Sequence, residues 1–478
     1  MDRPRLLSLA TLLALLTTPA PARAAATRGF VLTTDYTSGT VSVVDLATRV
    51  VTCDVADVSP DPVGRWYQGS LYVVNRYGYD NVQVIAPAQG YATVRQFSVG
   101  NGTNPQDIAF ASRSKAYVSR LGSPDLLIVN PSTGASLGTI GLAAWADADG
   151  NPEAAHLAVV GNLLFVALER LANFVPADTG LVVVVDMRAD TVYDVDPLTA
   201  GKQVVRLSGL NPSTAFAAVP GGGAPPELHL YIGCTGQWGL LDGGIEDIVV
   251  PTQGGAEPWA VRSAGFAITE VALGGDVVDV AGYGPERSYA IVADLSSNTS
   301  LVSWDPATGT KLATLYVPGG FSLSDAALDD RRELYVCNGS FGAPGLRVFR
   351  ADDGTPLAGP LPVCLPPVQI VFDQESDLAA VGEPALTEGF TLAGPVPNPT
   401  HLSARLALGM RAPCVARVEI FDLGGRRVRT LADGSFPRGT TDLVWDLSDG
   451  IGRRVPPGVY LARALTSGAT VTRRFVVL

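Results

Sequence analysis

LYVVNRYGYDNVQVIAP, Leu71–Pro87, decides the fold. It holds two short runs of β-branched and aromatic residues on either side of Gly78 and Asp80. Runs of this kind, bounded by turn formers and too short for a helix, read as paired strands. The first run has six counterparts: FVLTTD at Phe30, AYVSRL at Ala116, LFVALE at Leu164, LYIGCT at Leu230, YAIVAD at Tyr289 and LYVCNG at Leu334. Successive starts lie 41, 45, 48, 66, 59 and 45 residues apart. Repetition at that period means similar units set side by side rather than one irregular core.

Most of these phrases lead into a second strand, such as TVSVVDL from Thr40, DLLIVNP from Asp125 or LVVVVDM from Leu181. A third segment climbs back after turns such as Asn130–Gly134 and Asp305–Gly309. In both, Asp or Asn, then Pro, then Gly supply the dihedrals a turn needs. A further strand precedes the next phrase, as in PQDIAFASRSKAYV and LSDAALDDRRELYV. Four strands per unit of roughly 45 residues, repeated, predict an all-β protein built as a seven-bladed β-propeller. The first unit starts at its second strand, while a spare inner strand, PVQIVFD (Pro367–Asp373), follows the last one. That strand is expected to complete the first blade, so that the two ends of the ring seal each other and no edge is left free. The long intervals at the fourth and fifth units predict insertions there.

These units resemble the YVTN-type repeats of bacterial extracytoplasmic seven-bladed propellers, over about Gly29 to Gly382. The resemblance implies a fold and no particular activity.

At AGPVPNPT, Ala393–Thr400, three prolines in five residues interrupt any strand or helix. Beyond this break the chain alternates again, with Val418 and Ile420 on one face and Glu419 and Asp422 on the other. Turns are expected at Gly424–Gly425 and Asp449–Gly450, giving a small immunoglobulin-like sandwich. Pro397-Asn398-Pro399, VEIFDLGGRRV, the Trp445-Asp446 step and Gly458-Val459-Tyr460 resemble the type A C-terminal sorting domain of the bacterial type IX secretion system. They also resemble the immunoglobulin-like part of flagellar hook-capping proteins. Thr400, where Phe is common, and Arg473-Arg474, where lysines are usual, depart from the pattern. The resemblance implies an address read by secretion machinery at the outer membrane, with Pro397, Asn398, Pro399, Trp445, Gly458 and Tyr460 as its motif. A sandwich that merely packs against the ring is the alternative. The expected layout is a signal peptide (1–26), the propeller (27–385), a Pro-rich linker (386–400) and the sorting domain (401–478).

Arg3 and Arg5, an apolar run from Leu6 to Leu16, and small residues at Ala22-Arg23-Ala24 or Ala24-Ala25-Ala26 read as a cleavable secretory signal. No other stretch is long and apolar enough for a membrane-spanning helix, so a secreted or cell-surface bacterial protein is expected. The net charge of −12 is unevenly spread: Thr391–Leu478 carries twelve arginines against six acids, +6, which leaves −18 for the rest. An acidic body argues against nucleic acid as partner. Five cysteines at 53, 234, 337, 364 and 414 show no framework and read as isolated thiols inside strands, with a single disulfide, which export permits, as the alternative.

Ligands of propellers usually meet the loops around one mouth of the channel. Polar residues closing the second strands should ring it: Asp35, Arg76, Arg120, Glu169, Arg170 and Asp294. The alternative is that they are ordinary turn formers. AWADADGNPEAAH, Ala144–His156, offers Asp147, Asp149, Asn151 and Glu153 at alternate positions, oxygen donors of the kind Ca²⁺ takes, although without the EF-hand spacing. Asn104–Pro105 and Asn211–Pro212 also precede inner strands, so Asn151–Pro152 equally reads as a recurring turn. In GQWGLLDGGIEDI, Trp238 with nearby acids forms a stacking platform suited to a sugar or a cation, or simply a Gly-rich loop. With three histidines and no G-x-S-x-G or H-E-x-x-H, nucleophilic catalysis lacks a motif. The expectation is a propeller binding an unidentified extracellular ligand. A Ca²⁺-dependent hydrolase of the lactonase or esterase kind, and a surface scaffold or adhesion protein, are the alternatives.

Overall fold

The computed structural model describes residues 25–221, 227–251, 261–374, 390–396, 400–401, 403–410, 414–422, 426–436, 439–466 and 470–478. The chain divides into two compact units, Met1–Gly382 and Glu383–Leu478. The segment before Ala25 read as a signal, Pro397-Asn398-Pro399 and the turn expected at Gly424–Gly425 lie outside the described residues.

The first unit is a ring of seven antiparallel sheets. From the channel outward, blade 2 consists of Pro62–Tyr67, Ser70–Asn75, Asn81–Ala86 and Ala92–Ser98. Blade 3 repeats this with Pro105–Ser112, Lys115–Arg120, Asp125–Val129 and Ser136–Gly141. The inner strands of blades 4 to 7 are Ala154–Val160, Ala217–Pro220, Asp276–Gly284 and Leu323–Leu328. Blade 1 is composite. Arg28–Thr34, Gly39–Asp45 and Val51–Val58 come from the start of the ring, and Pro367–Phe372 from its end lies innermost, pairing Phe30 with Val371 and Leu32 with Gln369.

Burial explains which strands were easy to read. Second and third strands are covered on both faces by neighbouring blades, so Ser70–Asn75 and Leu163–Leu168 are almost wholly buried and continuously apolar. Outer strands face solvent on one side, and Val51–Val58 alternates accordingly. The core is a set of inter-blade clusters; Tyr72, Val84, Ile108, Phe110 and Val118 form the one between blades 2 and 3.

Two features go beyond the sequence reading. Cys53 and Cys364, separated by 311 residues, form a disulfide with Cα atoms 5.8 Å apart, correcting the expectation of isolated thiols. Ring closure brings the outer strand of blade 1 beside the approach to the closing strand, a proximity that chain spacing cannot reveal. Cys234 and Cys337 are buried free thiols. The blade 4 insertion contains a small hairpin, Leu171–Ala172 with Val175–Pro176, and the outer strand Val205–Leu210, which pairs with the Thr179–Asp186 strand.

The second unit is a sandwich. Phe390–Val396, Ala404–Met410 and Gly439–Trp445 form a three-stranded sheet; Arg427–Phe436, Cys414–Asp422, Gly458–Leu465 and Thr470–Val477 form a four-stranded one. Residues 390–396, within the stretch read as linker, thus supply an edge strand. Leu392, Leu406, Val418, Ile420 and Phe475 meet in its core. Trp445 and Tyr460 lie there too, ring centroids 5.4 Å apart, and Trp445 Nε1 donates to Ser448 O. Glu419 lies on the outer face but is nearly buried, covered by Arg427 and Arg463.

Candidate functional site

Antiparallel order puts the loops after all second strands, and those entering all inner strands, on one face of the ring. Asp35, Arg76, Arg120, Glu169, Arg170, Trp238 and Asp294 belong to that loop face, as do Asp147 to Glu153. They have different surroundings. Asp35 Oδ1 accepts from Thr37 N at 2.8 Å and Ser38 N at 2.7 Å, and Asp294 Oδ1 accepts from Ser296 N and Asn298 N. Both carboxylates fold back on their own turns, and these bonds hold them below the usual carboxylate range. Arg120 is buried and donates to Val99 O and Asp125 O. Arg170 donates to Thr179 O and pairs with Asp178 at 2.7 Å.

Arg76 and Glu169 come together at the mouth with Glu153. Arg76 bonds Asp61 and donates to Gln106 Oε1 at 3.0 Å, which fixes its guanidinium between blades 2 and 3. Glu153 is buried at the entry to blade 4, and its Oε2 accepts from Leu171 N at 2.9 Å. Burial, reinforced by Asp149 and Asp147, raises its carboxyl to about 7. Glu169, whose backbone N–H bonds Glu153 O at 3.1 Å, has no hydrogen-bond donor on its carboxylate among the described residues. Burial within the mouth and the neighbouring Glu153 raise it to about 8, with Arg76 opposing. At neutral pH Glu169 keeps its proton for the most part and Glu153 is divided between its two forms, so the pair can both donate and accept hydrogen bonds.

Below the mouth the channel wall is polar in a regular way. Asp107 Oδ2 of blade 3 accepts from Leu157 N of blade 4 at 3.0 Å. Asp279 of blade 6 accepts from Ala326 N of blade 7, Asp325 of blade 7 from Ile370 N of blade 1, and Gln369 of blade 1 from Gly64 N of blade 2. Each is an acceptor on one inner strand clasping the backbone of the next. Arg65 stands among them, paired with Asp107 at 2.8 Å and within electrostatic reach of Asp279 and Asp325. Burial raises Asp279 to about 6 and pushes Asp325 well up, each countered by Arg65. His156 donates from Nε2 to Ser213 O at 2.9 Å, and burial with nearby Arg65 and Arg76 lowers it to about 4, keeping it neutral. The sequence did hold a signal for this layer. PQD, LSD and PVQ place Asp or Gln at corresponding places in inner strands of otherwise unrelated sequence.

The donors implied for Ca²⁺ are turned inward. Asp147 Oδ1 accepts from Asp149 N and Asp149 Oδ1 from Asn151 N, while Asn151 Nδ2 donates to Leu121 O. Only Asp147 Oδ2 and Asn151 Oδ1 there are buried without partners, short of the six to eight oxygens Ca²⁺ takes. Among the described residues no group of three or more His, Cys, Asp or Glu is disposed to hold a metal ion. Trp238 is exposed and meets Phe321 edge-on, centroids 5.6 Å apart. On the second unit, Arg417, Arg427, Arg463 and Phe421 border a shallow basin of about 720 Å³.

No family model matches the chain, and no curated protein does. Similar solved structures include the β-propeller domain of Cps50 (Swd1) from Myceliophteria thermophila, 13% identical, TM-score 0.45, covering 65% of this chain and 90% of that one. Hydrazine synthase from Kuenenia stuttgartiensis is 13% identical with TM-score 0.45, over 69% of this chain and 97% of that one. Apo AztD from Citrobacter koseri is 14% identical with TM-score 0.42, over 73% and 98%. At this distance the likeness concerns the propeller fold alone. No helix among the described residues is long and apolar enough to cross a membrane.

Proposed function

We propose that the chain is an exported bacterial propeller of the YVTN-like kind that binds a polar ligand at its loop-face mouth, and that its C-terminal sandwich serves as the sorting address. What supports the ligand reading is the Glu153–Glu169 pair beside Arg76. A Glu169 carboxyl raised to about 8, a Glu153 carboxyl raised to about 7 and a fixed guanidinium converge at the mouth, and Glu169 is left without an internal donor. By contrast the deeper Asp107, Asp279, Asp325 and Gln369 are engaged in holding blades together. A Ca²⁺-dependent hydrolase draws no support from this donor set. A thermal-shift panel of amino acids, sugar acids and small amines on the wild-type chain and Glu169→Ala tests the mouth. A midpoint increase lost in the variant is expected, and equal responses from both proteins would remove the mouth from consideration.

The address reading rests on the Pro397–Tyr460 residue pattern and on the sandwich being a compact unit of its own. Removing residues 383–478 should leave the ring folded and strand it inside the outer membrane. Unchanged release into the medium would contradict the sorting role and favour a scaffold or adhesion module.

A further inference from the structure

The described propeller carries seven aromatic rings that are at least half exposed: Tyr36, Tyr77, Tyr79, Phe174, Trp238, Phe321 and Phe341. All seven lie on the loop face, six of them in the loops after the second strands of blades 1, 2, 4, 5 and 7 and Phe321 in the loop entering blade 7. None of the other aromatic side chains described in the ring is half exposed. Scattered exposed apolar residues are normal, but such one-sided placement is a surface property that marks interaction.

The backbone beneath the rings is hydrogen-bonded in place, and Trp238 and Phe321 meet edge-on across their loops. Tyr36 N donates to Thr34 Oγ1 and Tyr77 N to Asn104 Oδ1. Around Trp238, Gln237 N bonds Asp242, Gly239 N bonds Asp276, and Gly243 N bonds Glu270. Gly236 stands at φ 62° where a Cβ would collide with Asp242. Gly320 N, beside Phe321, bonds Asn298, and Ser340 N, beside Phe341, bonds Asn338. Tyr36 and Phe174 stand at φ 68° and 63°, a left-handed conformation that is costly for bulky side chains and gains no packing in return here. Rings presented on a rigid backbone lose little entropy on binding.

The geometry points to an uncharged polysaccharide chain as the occupant of this face. The rings are spread over six loops, with Tyr77 and Tyr79 sharing one and Trp238 touching Phe321, and do not form one contiguous apolar patch like the centre of a protein–protein interface. Each offers an amphipathic platform for the C–H face of a sugar ring. They are interleaved with ionised, turn-capping carboxylates such as Asp35, Asp178 and Asp294, whose negative charge repels polyanions. The −18 charge outside the C-terminal region acts in the same direction. Several weak platforms on one rigid disc suit a repeating polymer, because successive contacts become intramolecular. This surface shares the face of the proposed mouth site and none of its residues.

Affinity electrophoresis of the full mature chain in gels containing hydroxyethyl cellulose, xylan, galactomannan or dextran, with alginate as the anionic control, tests the proposal. At least one neutral polymer should retard the protein, in low and high salt alike. Trp238→Ala with Phe341→Ala, and Tyr77→Ala with Tyr79→Ala, should each weaken retention about tenfold while leaving the thermal midpoint unchanged. Glu169→Ala should be retarded like wild type, which separates this surface from the mouth. Retardation by alginate alone, retention unaffected by both double variants, or no retardation by any neutral polymer would overturn it. So would sedimentation showing that the same rings mediate self-association.

Discussion

A carboxyl that is harder to ionise in the folded ring than in the unfolded chain makes stability fall as pH rises. Glu169, Glu153 and Asp279, raised to about 8, 7 and 6, bind protons in the folded state at pH values where the unfolded chain has released them. Their contribution is complete below about pH 4 and is lost as pH climbs through those values. His156, lowered to about 4, acts oppositely, but only between there and its unfolded value near 6.5. Between pH 6.5 and 8 the acids therefore act without His156 opposing them. The thermal midpoint should fall across that window, and Glu169→Gln should flatten the slope; a flat wild-type profile would refute the account. Asp107 is fully buried and holds both Arg65 and Leu157 N. Asp107→Ala leaves both without their acceptor and should cost about 2–4 kcal/mol in urea unfolding, discounted from a fully buried pair because Arg65 still touches water. At the other end of the scale of size, Ala26 is completely buried, its N–H on Asp330 and its carbonyl on Arg331. Cleavage of the signal after Ala24 keeps that contact and cleavage after Ala26 destroys it. Under the export proposed above, N-terminal sequencing of the mature protein should begin at Ala25.

Among the elements, the closing strand bears the most. Pro367–Phe372 pairs with Arg28–Thr34, Asp373 accepts from Thr27 N and Arg28 N, and Cys53–Cys364 bridges alongside. Cys53→Ser with Cys364→Ser should lower stability by about 2–4 kcal/mol, read by chemical denaturation with the wild type under oxidising and reducing conditions. A double variant as stable as the oxidised wild type would mean the strand pairing alone suffices. How far such elements were legible depends on what covers them. Ser70–Asn75 is buried on both sides and could be little else but β-branched and aromatic. The closing strand was legible for a different reason, an arithmetic one: a unit lacking an inner strand at one end and a surplus one at the other. The polar channel went unread although PQD, LSD and PVQ carried its signal, because the Arg65–Asp107 and Asp279–Asp325 pairs, more than 170 residues apart, converge only through closure. The exposed rings were hidden differently. Tyr36 or Phe341 in isolation looks like any surface residue, and only topology shows that the loops bearing them share a face.

For the whole molecule, two compact units of opposite charge divide the work. The acidic ring carries the candidate binding surfaces and the basic sandwich carries the residues of the sorting pattern. Residues 25–374, expressed alone into an oxidising compartment, should fold with the same thermal midpoint as the ring in the full chain. A large drop would mean that the sandwich is part of the ring's stability. The composite first blade also has a consequence in time. A chain threaded across a membrane N-terminus first delivers Arg28–Thr34 at once, yet its partner arrives last, after all the other blades have emerged. Until then the structure is a split washer with an unpaired edge on the first strand it produced, a state prone to pairing with the wrong neighbour. The sandwich comes directly behind the strand that ends this interval. Under the sorting role proposed above, a secretion apparatus that waits for the C-terminal unit would act only on chains whose ring has had its full complement of strands, and the order of residues along the chain would double as a completeness check.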